Sequence, residues 1–193
     1  MALPLGHAAA GYLAYEAVRP AGRHRPRWLA AALVLANAPD LDYVPGFLVG
    51  HPDTWHRGGT HSLVAALAVA AVAVALAGAR RLPWRLALGG ALAWASHLLL
   101  DFVTANAAPP RGIPLLWPLT ARTFIAAHPL LGEIVVDASG RGAFLRSLLD
   151  AGAARIWLEQ GALLVCAVAG VHAVRALAAA LVTPVGGVAR DDG

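Results

Sequence analysis

The chain has 193 residues, 59% of them hydrophobic and 13% charged, with a formal net charge of +4. Soluble domains carry about 25% charged and about 45–50% apolar residues, so this composition points to one membrane-embedded domain. All fifteen basic residues are arginines in short clusters between apolar runs, which argues against specific nucleic-acid binding, and the single Cys166 excludes an internal disulfide or a cysteine-based zinc site.

Five apolar stretches follow one another. Leu5–Val18 is the first. The chain start lacks a basic region, and His7 and Glu16 interrupt the apolar run, so it reads as retained rather than as a cleaved signal peptide. The second, Trp28–Ala38, is stopped by Pro39. The third, Ser62–Ala79, carries no charge, and Ser62 is suited to cap it. The fourth is Trp84–Val103. The fifth is Trp157–Val182, broken by Glu159, His172 and Arg175. A bilayer core takes about 20 helical residues, a length the last three stretches meet or approach. Residues 105–156 are charged and punctuated by Pro and Gly, and read as an irregular loop region with an amphipathic helix near 143–155. The expected fold is all-α, a membrane-embedded bundle of about five apolar helices. It forms a single domain over 1–185, with the long loop between the fourth and fifth helices and a disordered tail at 186–193.

Alternating helices sort the connections onto two sides. One side receives four arginines from 19–27 and three from 80–85; the 39–61 loop on the other side holds Arg57 alone. Arg111, Arg122, Arg141, Arg146 and Arg155 also fall on the second side, but in a long segment, which weighs less in topology. The arginine-rich side is therefore expected in the cytoplasm, and the opposite side outside it.

The ionisable residues at the helix ends share that opposite side. His7 opens the first stretch, and Asp40 and Asp42 close the second in "NAPDLDYVPG". His56 and His61 precede the third in "HRGGTHSL", and His97 and Asp101 close the fourth. His97 and Asp101 are four apart and share a helix face. Asp40 and Asp42, in extended chain, would point the same way. Gly58 and Gly59 would let the chain fold back and bring His56 and His61 to one centre. Imidazoles with carboxylates suit zinc, manganese or iron rather than magnesium or calcium. Seven ligands exceed what one tetrahedral zinc needs, and two ions sharing an aspartate would use them better. Taken singly, each residue has a plainer explanation as a cap or turn former. Taken together, ionisable groups at one membrane edge point to function. His24 lies on the wrong side, His51 and His128 lie outside the pattern, and His172 reads as a helix–helix contact. Glu133 and Asp137 are weaker candidates.

In the order His7, "NAPDLDYVPG", "HRGGTHSL", "SHLLLDFVT", "GIPLLWPL", the chain resembles the YdjM-type family of membrane-bound, metal-dependent hydrolases, over residues 1–120. The resemblance implies an inner-membrane protein whose metal positions are His7, Asp40, Asp42, His56, His61, His97 and Asp101. The family is also distantly similar to the zinc-dependent phospholipase C and single-strand nuclease superfamily, which implies phosphoester hydrolysis by analogy of fold.

The expected function is that of a multi-pass inner-membrane hydrolase holding one or two divalent ions, zinc first. It would act on a lipid or membrane-proximal phosphoester, with Asp101 at the catalytic ion and Arg57, or Arg111 beside the site loop, stabilising anionic oxygens. A metal-stabilised scaffold without turnover, and a transporter, are the alternatives.

Overall fold

The computed structural model describes residues 2–20, 23–106 and 111–182, and these residues are all-α. The helices are α1 (Pro4–Val18), α2 (Pro26–Asn37), α3 (Tyr43–Val49), α4 (Leu63–Gly78), α5 (Trp84–Val103), α6 (Arg141–Ser147) and α7 (Ala151–Val182). Two 3₁₀ turns, Ala38–Asp42 and Gly59–His61, lie between α2 and α4. The expected tail at 186–193 lies outside the described residues.

The five longer helices alternate in direction. Val18, at the end of α1, takes a hydrogen bond from Arg85 at the start of α5 (3.1 Å), while the Ala2 N–H reaches Asp101 at the end of α5 (3.2 Å). Helix α1 therefore runs antiparallel to α5. It runs parallel to α7, whose Gln160 accepts from the Leu3 N–H (2.6 Å) and whose Arg175 pairs with Glu16 (2.7 Å). Helix α2 returns along α1, bringing Arg25 N–H to the Tyr15 hydroxyl (2.9 Å), and α4 folds back onto α5. One end of the bundle thus collects Arg19, Arg25, Arg85 and Arg175. The other collects the Asp/His residues.

Helices in lipid gain little from burying apolar surface against one another, so close approach of small residues does more of the work. The interior among α1, α2 and α5 is built that way, from Ala14, Tyr15, Ala32, Ala36 and Ala93, flanked by Trp28, Leu29 and Leu35. Gly11 lets α1 settle onto α2: a Cβ there would lie 2.8 Å from the Ala32 carbonyl oxygen. A second cluster of Leu3, Ile134, Ala153 and Ile156 packs the 131–136 segment against the start of α7.

Helices α5 and α7 are long and apolar enough to cross a membrane; α4 is apolar but shorter. Helix α4 packs on α5 along one half-buried side and buries no residue fully, so its remaining surface is left to other surroundings. The expected helix near 143–155 is two elements, since α6 ends at Ser147 and α7 begins at Ala151, six residues before the apolar run at Trp157. His172 is exposed on α7 rather than packed between helices, and His51 and His128 are exposed away from the cluster. His24 is exposed on the arginine side, with its Nδ1 3.1 Å from the Tyr15 hydroxyl.

Candidate metal centre

Pro39 cannot continue α2, and the chain turns there into the 3₁₀ segment Ala38–Asp42. A 3₁₀ turn has about three residues per turn, so positions two apart diverge by about 240°. Asp40 and Asp42 therefore do not point the same way, as extended chain would have had them. Asp40 faces His7, His61 and His97, while Asp42 faces His56, Thr60 and His61.

The "HRGGTHSL" loop carries the next residues. Its left-handed residue is Arg57 (φ 59°), not a glycine. Gly59 is needed for another reason: a Cβ there would lie 2.7 Å from the Trp117 ring. "GIPLLWPL" is thereby laid over the loop, and the Leu63 N–H donates to the Leu115 carbonyl at 2.8 Å. Ser62 caps α4 as expected, accepting from the Ala65 N–H at 3.1 Å.

Four side chains then converge. His61 Nε2 lies 3.1 Å from His97 Nε2, 3.4 Å from Asp40 Oδ1 and 3.5 Å from Asp101 Oδ2. His97 Nε2 lies 3.6 Å from Asp40 Oδ1 and 3.5 Å from Asp101 Oδ2. A tetrahedral centre with ligand bonds of about 2.0–2.1 Å has edges of about 3.3–3.4 Å. These spacings match that figure. His61, His97 and Asp101 are buried, and this Asp/His cluster can hold a metal ion.

The tautomers sharpen the point. His97 Nδ1–H donates to the Ala36 carbonyl (2.8 Å), and His61 Nδ1–H to Asp42 Oδ2 (3.2 Å). With both rings neutral, each Nε2 turns its lone pair toward the other, an arrangement that a metal ion or a proton between them relieves. Asp40 Oδ1, Asp101 Oδ2 and His7 Nε2 are also buried without a hydrogen-bond partner. Buried acceptors left unpaired cost about 1–3 kcal/mol each, so a shared cation resolves several penalties at once. In the metal-free protein a proton serves. Burial disfavours the His61 imidazolium, but Asp40 and Asp42 outweigh it and push its pKa up to about 9.

Around this group, Asp42 is the most fully satisfied residue. It accepts from His56 Nδ1–H (2.9 Å), the Thr60 hydroxyl (2.8 Å) and His61. Burial opposes its ionisation, yet these donors hold its carboxyl well below the usual range. Burial pulls the His56 imidazole below its ordinary pKa despite Asp42, and Tyr43 stacks on its ring at 3.7 Å. His7 stacks on His97 at 3.7 Å and sets Nε2 3.7 and 3.6 Å from the outer oxygens of Asp40 and Asp101. Arg57 Nε is buried without a hydrogen-bond partner among the described residues. Burial and Asp40 push the Tyr43 phenol well above its ordinary range, and the Arg57 charge offsets part of that rise.

All seven metal candidates thus occupy one end of the bundle. Glu133 and Asp137 lie apart, beside clefts along the 132–156 segment, and Arg111 is exposed. Sequence reasoning missed Tyr43, the Ala36 carbonyl and the Ala2 N–H. Only Tyr43 had a side-chain signal, as an aromatic directly after "PDLD".

The model of the YdjM inner membrane protein family matches residues 1–183. The chain belongs to that family. No curated protein and no solved structure matches it. As a YdjM-family inner-membrane protein, it sets the Asp/His cluster at the far end of α5, one of its two long apolar helices, from the arginines.

Proposed function

We propose that this YdjM-family chain is a multi-pass inner-membrane hydrolase that uses a divalent ion to cleave a phosphoester in a lipid or another membrane-proximal substrate. The observation that supports it is the set of four inward-facing acceptors at tetrahedral spacing, two imidazole nitrogens and two carboxylate oxygens. Two imidazoles and two carboxylates suit zinc first, then manganese or iron. His61, His97, Asp40 and Asp101 would hold the ion. When bound, it would supply Lewis acidity and lower the pKa of a water at an open position.

The chain's own groups have separate tasks. Asp42 and the Ala36 carbonyl fix which nitrogens of His61 and His97 face inward. His56 and Asp42 form a further group around His61, but one neutral imidazole cannot give both nitrogens to two ions. Asp42 and His56 therefore serve as supports when a single ion is bound. His7 braces both carboxylates or adds a fifth donor. Arg57 stands ready for anionic oxygens of the substrate. The positive-inside asymmetry supports a placement of this end of the bundle outside the cytoplasm.

The experiment is metal analysis of the purified protein with phosphomonoester, phosphodiester and phospholipid substrates. The His61→Ala plus Asp101→Ala protein should lose both bound metal and turnover. Full metal content and activity in that protein would overturn the reading. A second reading has its own observation, since four protein donors already complete a tetrahedron, as in structural zinc sites. A metal-stabilised scaffold would bind the ion, melt at a higher temperature with it, and turn over none of the substrates.

A further inference from the structure

The last turn of α1 gathers guanidiniums from three helices. Arg19 Nε lies 2.6 Å from Glu16 Oε1. Arg175 of α7 lies 2.7 Å from Glu16 Oε2 and donates from Nη2 to the Glu16 carbonyl at 2.9 Å. Arg85 of α5 donates to the Val18 carbonyl at 3.1 Å. Two guanidiniums thus share the Glu16 carboxylate, and a third caps the helix end beside it. The C-terminal end of the α1 dipole offsets only about half a charge, so the group remains cationic. The Glu16 side chain is nearly buried at 6% exposure, whereas Arg175 keeps 30%.

Beside this group, a cleft of ≈ 580 Å³ opens between α1 and α7. Its walls are Leu13, Ala17, Ala167, Gly170, Val171 and Val174, with Glu16 and Arg175 at one end. That volume falls in the range of ligand sites, about 300–1,000 Å³. Its depth can be placed along α7. The charge-free run between Glu159 and Arg175, residues 160–174, spans about 22 Å at about 1.5 Å per residue, most of a hydrocarbon core. Arg175 therefore marks one edge of the apolar band, and the cleft runs inward from it. An occupant must be apolar along its length and anionic at its tip.

We infer that this cleft binds a phospholipid with an anionic headgroup. One acyl chain lies between α1 and α7, and the phosphate rests against Arg19 and Arg175. Glu16 holds the two arginines in place without neutralising both, and basic pockets between membrane helices are suited to anionic headgroups. The site is separate from the Asp/His centre: Glu16 lies nine residues along α1 from His7, about 14 Å.

The test is native mass spectrometry of the full chain in detergent, mixed with equal amounts of phosphatidylglycerol and phosphatidylcholine of the same acyl chains. One phosphatidylglycerol should be retained with a preference of about fivefold or more, the weight of a single arginine near a membrane surface. Arg175→Gln should abolish that preference. Gly170→Leu should also lower phosphatidylglycerol retention, because a Cβ at Gly170 meets nothing within 4 Å and the larger side chain fills the cleft without displacing a neighbour. Bound metal should stay at the wild-type level in both variants, which shows that they remain folded. Equal retention of the two lipids by the wild type overturns the inference. So does an undiminished phosphatidylglycerol adduct in Gly170→Leu, which would put the lipid elsewhere.

Discussion

The Asp/His centre depends as much on the groups behind it as on those that face inward. The Thr60 hydroxyl donates to Asp42 Oδ2, and Asp42 in turn fixes Nδ1–H of His61. Thr60→Val keeps the shape and removes that donor. Loss of such an outer partner typically costs 10–100-fold in metal affinity. We expect Thr60→Val to weaken zinc binding by about 10-fold or more in competition with a chromophoric chelator, while the protein still folds. Unchanged affinity would show that Asp42 needs no help. Much of this was legible in the residues. His7, Asp40, Asp42, His56, His61, His97 and Asp101 each stood at an expected helix end, and alternation sent them to one side. The backbone partners were not legible, since the Ala36 carbonyl and the Ala2 N–H carry no residue signature.

Among the elements, long apolar runs announced themselves and short turns did not. Helix α5 matches its expected stretch, residue for residue, because twenty apolar-dominated residues between Pro83 and a polar loop leave little choice. The 3₁₀ turn at Ala38–Asp42 and the seven-residue α3 were hidden, because neither is long enough to show a period. The bend at "HRGGTHSL" was anticipated from its glycines, but for the wrong reason: the left-handed residue is Arg57, and Gly59 is small because Trp117 lies on it. This contact makes the loop and "GIPLLWPL" one unit. Gly59→Ala should overpack it, costing about 1–3 kcal/mol. Trp117→Leu in the same chain should relieve the clash, so the double variant should melt above Gly59→Ala alone. A double variant with strictly additive losses would mean that the two residues do not press on each other.

At the scale of the whole molecule, two polar ends are held apart by a fixed length of helix. From Arg85 to Asp101 is sixteen residues of α5, about 24 Å, less than the thickness of a hydrocarbon core. In the proposed multi-pass arrangement, with the arginines at one interface, the Asp/His centre would lie just inside the other, within reach of lipid headgroups. The arginines carry the proposal for which compartment it faces. Arg19, Arg23, Arg25, Arg27, Arg80, Arg81 and Arg85 crowd the two short connections at one end, and by the positive-inside rule we propose that this end lies in the cytoplasm. Two exposed positions report on it: Arg23 in the α1–α2 connection, and His128 in the segment tied to the end of α5 through Ala126 N–H and the Phe102 carbonyl (2.9 Å). In a Cys166→Ser background, His128→Cys should react with a thiol reagent that cannot cross the inner membrane, whereas Arg23→Cys should react only after that membrane is permeabilised. The opposite labelling would turn the centre toward the cytoplasm and its substrates toward the inner leaflet. Labelling of both without permeabilisation would mean that the two ends do not lie on opposite sides of the bilayer.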